Sequence, residues 1–152
     1  MLTLTYKRLL RMALPLLFCL PPGAVRAADF PQGSPPFHTL YADFVAERKR
    51  TGKPGVIVFS ATWCASCQTM KRKVYHTAPV RPYHDKFVWA WLDVDDPANQ
   101  AAAKLYQTGG LPHLEFLNPN GKPVARLLGK KDAATLARQL AAVAPKPSPA
   151  AR

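Results

Sequence analysis

Cysteine is scarce: the 152-residue chain has three. One of them, Cys19, lies in an N-terminal apolar stretch, so only Cys64 and Cys67 remain beyond it. Two thiols do not make a disulfide-stapled scaffold. There is no second Cys-x-x-Cys to complete a four-thiolate metal site, and no histidine directly follows Cys67, which excludes the usual c-type haem attachment motif. Acids are also few, nine against 21 lysines and arginines, for a net charge of +12. No apolar run comfortably reaches the ~20 residues that span a bilayer. There is no internal repeat, and no basic stripe interleaved with aromatics of the kind that binds nucleic acid.

What is present begins with an export pattern. Lys7, Arg8 and Arg11 form a basic region without acids, Met12 to Leu20 is apolar, and Pro21, Pro22 and Gly23 break it ahead of Val25-Arg26-Ala27. This predicts a signal peptide over residues 1–27, cleaved after Ala27, with an uncleaved anchor as the alternative. Cys19 follows the bulky Phe18 and reads as part of that apolar region rather than as a lipid acceptor. Beyond it, 17 basic residues face nine acidic ones, a net of +8. The basic residues cluster at Arg48-Lys49-Arg50, Lys71-Arg72-Lys73 and Lys130-Lys131. They read as a solvated surface, with acidic partners or an anionic membrane as the alternative.

Residues 28–36 form a Pro- and Gly-rich extended lead-in. A helix is expected over His38–Arg50, with Leu40, Phe44 and Val45 at helical spacing, ended by Thr51-Gly52-Lys53-Pro54-Gly55. Val56 to Ala61 is apolar throughout, the mark of a strand buried on both faces. A helix follows from about Cys64 to His76, and Ala78–Lys86 is irregular. Phe87 to Val94 predicts a second buried strand. Asp96 as N-cap and Pro97 at the first helical position predict a helix to about Tyr106. His113–Leu117 and Pro123–Leu128 predict a hairpin turning at Pro119-Asn120-Gly121. Asp132 to Val143 closes as an amphipathic helix, and 144–152 is a disordered basic tail. The domain spans 37–143. It is an α/β architecture, a central mixed sheet of about four strands with helices on both faces.

Cys64 and Cys67 open the first helix after a buried strand. The helix N-terminus favours negative charge there and stabilises a thiolate. The loop between them is so short that closing it constrains the unfolded chain little. The pair therefore suits thiol–disulfide exchange better than it suits a staple. Two rivals stand beside that reading. One is a copper or zinc carrier that adds His76, His84 or His113 to the two thiols. The other is a redox-inert peptide-binding module.

Phe59-Ser60-Ala61-Thr62-Trp63-Cys64-Ala65-Ser66-Cys67 resembles the active-site segment of the thioredoxin superfamily, and Gly110-Leu111-Pro112-His113-Leu114-Glu115-Phe116 resembles its cis-proline strand. With Trp91-Leu92-Asp93-Val94-Asp95 between them, the likeness covers roughly Phe37 to Val143. It is greatest to exported domains of the kind found at the C-terminus of DsbD-type thiol:disulfide interchange proteins. The resemblance implies a thioredoxin fold and a cis Leu111–Pro112 bond. It implies Cys64 as the exposed attacking thiol, Cys67 as the buried resolving one, and Trp63, Leu111 and Pro112 as substrate-binding. It further implies no cofactor, no nucleic acid, protein thiols or disulfides as substrates, a periplasmic location, a membrane reductant-transfer protein as electron donor, and reduction rather than oxidation as the net direction.

The chain departs from the family in three places. Val58 and Trp91 stand where many thioredoxins pair a buried Asp with a Lys, and Lys71 stands where DsbD-like domains carry a Glu. Solvent, Asp93 or Glu115 is left to exchange the proton. Lys71 is read as solvated, or else as folded back toward the sulfur. His113 is read as a half-exposed strand residue, with a role as acid, base or ligand as the alternative.

Overall fold

The computed structural model describes residues 30–145. The expected signal peptide, Cys19 and most of the expected tail lie outside them. In chain order the elements are β1 (Phe37–His38), α1 (Tyr41–Thr51), β2 (Gly55–Ser60), α2 (Ala65–Lys73), a 3-10 helix (Arg81–Lys86), β3 (Val88–Asp93), α3 (Gln100–Leu105), β4 (His113–Leu117), β5 (Pro123–Leu128) and α4 (Ala133–Val143).

The strands form one sheet in the order β1-β3-β2-β4-β5. β2 lies at its centre, parallel to β3 and antiparallel to β4, and all six of its residues are buried. Alternation along the strands divides the core in two. Val56, Val58, Trp89, Trp91, Leu114 and Phe116 pack with Cys67 and Met70 of α2 and with Leu136 and Leu140 of α4. On the other side Ile57, Phe59, Val88, Ala90 and Leu92 pack with Phe44 of α1 and with Ala102 and Tyr106. No helix among the described residues is long and apolar enough to cross a membrane.

Three expectations are corrected. The sheet has five strands rather than about four, because Phe37 and His38 pair with Trp89 and Ala90 at the edge of β3. Two residues are too few to show a period in the sequence. For the same reason α1 begins at Tyr41, after that strand and a bend, rather than at His38. Pro97 does not open α3, which starts at Gln100 after Asn99. The Asp96 carboxylate instead accepts from the Ala98 amide at 2.9 Å, forming a local turn that resembles a helix cap in sequence. The irregular stretch before β3 contains the short 3-10 helix.

Arg48 of α1 is a buried cation, 7% exposed. Its Nη2 donates to the carbonyls of Asn118 and Pro119, each at 2.9 Å, and so ties α1 to the β4–β5 turn. Gly55 makes room for it. A Cβ at that position would lie 2.5 Å from Phe44 Cζ and 2.6 Å from Arg48 Cδ.

Candidate functional site

Strand β2 ends at Ser60 and delivers Cys64 to the N-cap of α2. Cys64 takes an extended backbone (φ −79°, ψ 96°), and its sulfur accepts from the Cys67 amide at 3.2 Å. The sulfur thus occupies the position where a capping oxygen normally satisfies the first free amides of a helix. The Ser66 hydroxyl lies 3.5 Å from the same sulfur. Cys64 and Cys67 are bonded to each other, with their Cα atoms 5.2 Å apart.

Burial distinguishes the two sulfurs. Cys67 is fully buried, in contact with the core, whereas Cys64 is 6% exposed. Cys64 is therefore the more accessible, as expected, but less open than the sequence suggested. Its sulfur accepts from the Cys67 amide and is bonded to Cys67, and little of the residue meets solvent.

Cys64 lines an open groove of about 680 Å³, shared with Trp63, Val94, Ala103, Gly110 and Leu111. Trp63 is 69% exposed, so it is a surface ring and not a core tryptophan. Its indole N–H donates to the Asp95 carboxylate at 2.7 Å, and Asp93 in turn accepts from the Asp95 amide at 3.0 Å. Sequence reasoning missed Asp95. Its turn after β3 was legible, but nothing signalled a partner 32 positions away. Leu111–Pro112 is cis. Leu111 borders the groove, Pro112 is buried, and the ladder to β2 begins only at His113.

Of the remaining polar candidates, His113 and Glu115 face away from the cysteines. His113 is fully buried rather than half-exposed. It lies on the face of β4 opposite the cysteines, edge-on to Phe59 at 5.5 Å. Its Nε2 bonds Glu115 Oε2 at 2.7 Å, and Arg126 Nε donates to the same oxygen at 2.9 Å. Glu115 is thus engaged behind the sheet, away from both sulfurs. Alternation along β3 places Asp93 on the cysteine side, paired in register with Ser60. His84 Nε2 donates to the Tyr75 carbonyl at 2.8 Å. Among the described residues no three His, Cys, Asp or Glu side chains gather to hold a metal ion.

Lys71 is partly buried rather than fully solvated. Its ammonium lies 4.3 Å from the centre of the Phe30 ring and 5.8 Å from that of Trp91. It rests on aromatic faces, where the ring quadrupole attracts a cation.

Residues 43–144 match the family model described as a thioredoxin-like domain. A thioredoxin of Mycolicibacterium smegmatis is 34% identical over 90 residues, which cover 59% of this chain and 78% of the relative. The thiol:disulfide interchange protein DsbD of Vibrio cholerae is 34% identical over 89 residues, 56% of this chain but only 15% of DsbD. The solved C-terminal domain of DsbD from Neisseria meningitidis, in its oxidised form, superposes with a TM-score of 0.59 at 25% identity, covering 70% of this chain and 98% of that one.

Proposed function

We propose, from the premise that this chain belongs to the thioredoxin-like domain family and is a thiol–disulfide oxidoreductase with a thioredoxin fold, that it acts in the periplasm as a net reductant of protein disulfides. The observation that carries the assignment of roles is the unequal burial of the two sulfurs, with Cys64 on the groove and Cys67 beneath it.

In the reduced protein the Cys64 thiolate, stabilised by the amides at the start of α2, attacks one sulfur of a substrate disulfide. A Cys64–substrate bond forms, and the other substrate sulfur leaves as a thiolate that takes up a proton. Cys67 then loses its proton and attacks Cys64 Sγ. The Cys64–Cys67 bond closes, the second substrate thiol is released, and two electrons have passed to the substrate. Trp63 and Leu111 flank the reacting sulfur, and the backbone before Pro112 is left to pair with an extended substrate segment. A membrane reductant-transfer protein restores the dithiol from the other direction. Resemblance to DsbD-type domains supports both the reducing direction and the periplasmic setting, the latter together with the export pattern in residues 1–27.

Equilibration in glutathione buffers followed by alkylation of free thiols tests this. A two-electron transition is expected, abolished in Cys64→Ser, with a midpoint nearer the about −270 mV end of the family's range than the about −120 mV end. A midpoint at the oxidising end would reverse the proposed direction. Cys67→Ser should accumulate mixed disulfides through Cys64. If these form through position 67 in Cys64→Ser instead, the assignment of roles is wrong.

A further inference from the structure

Two of the basic clusters, far apart in sequence, meet in space. Lys73 of α2 and Lys130 and Lys131, ahead of α4, line one open cleft of about 440 Å³. Ala133 and the edge of Val74 give it apolar walls, with fully buried Met70 beneath. Among the described residues none of these three lysines is in an ion pair. The acid at the rim, Asp132, is committed to capping α4 through the Thr135 amide at 2.7 Å. The Lys131 ammonium is held by the carbonyls of Leu128 and Gly129, and its amide donates to Met70 Sδ at 3.4 Å, so the loop is fixed against α2. Like charges held together repel one another, and an oppositely charged partner relieves that repulsion.

The cleft lies further along the same helix as the groove at Cys64. Ala65 lines the groove, while Thr69 and Lys73 line the cleft. Spaced four residues apart, the three share one face of α2. With a rise of 1.5 Å per residue, Lys73 stands roughly 13 Å along the axis from Cys64, the reach of about four extended residues.

We infer that this cleft docks an acidic segment of the redox partner, whose carboxylates meet Lys73, Lys130 and Lys131 while its cysteine meets Cys64. The inference rests on the exchange activity proposed above and adds the charge of the partner to it. A protein segment fits better than an anionic bilayer, because the lysines surround a concavity with apolar walls that a flat surface does not enter.

Three disulfide-linked peptides test it. They are identical around the cysteine and carry Glu, Gln or Lys at the four to six positions beyond it; neutral hydroxyethyl disulfide serves as a small substrate without a docking segment. At low salt kcat/KM for the Glu peptide should exceed that for the Gln peptide about tenfold, and the difference should fall within about twofold at 0.5 M salt. Lys73→Gln with Lys130→Gln should level the three peptides, and Lys73→Glu with Lys130→Glu should invert their order. Turnover of hydroxyethyl disulfide should stay unchanged in both variants, which reports that they are folded and active. Equal peptide rates at low salt, with that turnover intact, would overturn the docking inference alone. Loss of hydroxyethyl disulfide turnover by the unaltered protein would overturn the exchange reading and the docking with it. Binding to phosphatidylglycerol vesicles that the glutamine variant loses, without discrimination among peptides, would assign the cleft to lipid and overturn the inference.

Discussion

The exposed indole of Trp63 is held by Asp95, N–H to carboxylate at 2.7 Å, across the mouth of the groove. A surface ring without such a tether would sample several rotamers and lose entropy on each encounter with a substrate. Asp95→Ala should therefore raise KM for a peptide disulfide about fivefold with little change in kcat, in line with one lost hydrogen bond of about 1 kcal/mol. Hydroxyethyl disulfide, too small to use the ring, should be reduced at an unaltered rate. An equal loss on both substrates would show that Asp95 acts on the cysteines rather than through Trp63.

Behind the sheet, buried Glu115 joins buried His113 to the partly exposed Arg126. Glu115→Ala leaves a fully buried imidazole without its partner and should cost about 3 kcal/mol in urea denaturation. Arg126 is partly solvated, with 42% of its side chain exposed, so Arg126→Ala should cost less than half as much. If the two losses prove equal, the arginine is the anchor and His113 is incidental.

Arg48 is predicted to matter through geometry more than through charge. Its Nη2 donates to two carbonyls of the β4–β5 turn from a rigid planar group packed over Phe44, whereas a lysine ammonium is a shorter-headed, freely rotating point charge. Arg48→Met should lose about 2–3 kcal/mol and speed amide hydrogen exchange at Gly121 and Lys122, and Arg48→Lys should recover less than half of that loss. Full recovery by lysine would mean that a point charge suffices.

His84 carries a pH dependence with a definite sign. Burial holds its pKa below the ordinary 6.5, outweighing the hydrogen bond to the Tyr75 carbonyl, which acts in the other direction. The unfolded chain therefore binds the proton more readily than the folded one. The His84 contribution to stability is complete above the unfolded value and declines as pH falls through it. The difference in Tm between the parent and His84→Gln should change in that direction between about pH 7.5 and pH 5. A flat difference would refute the assignment.

What the sequence discloses here follows from the range of each interaction. Val56 to Phe59 declares a central strand because every neighbour is apolar, and Cys64, Cys67 and Pro112 are legible from short local wording. The two-residue strand at Phe37 has no period to display, and Asp96-Pro97 imitates a helix start while forming a turn. His113 reads as half-exposed because Phe59 and Arg126, which help enclose it and Glu115, come from the neighbouring strands β2 and β5. The lysine cleft was invisible for the same reason. Its two sides are joined only once β5 has delivered Lys130 and Lys131 beside α2.

Phe30 stacks on Phe37 at 4.7 Å and meets Trp91 edge-on at 5.7 Å, and the ammonium of Lys71 lies over its outer ring face. Phe30 and Phe37 both precede residue 43, where the match to the family model begins. The folding unit is thus wider than the portion that the family model matches. A fragment trimmed to the shared boundary would forfeit an edge strand and an aromatic cover, leaving two indoles wet on one side. A boundary drawn at the family model's first residue would cut into the interior of this protein.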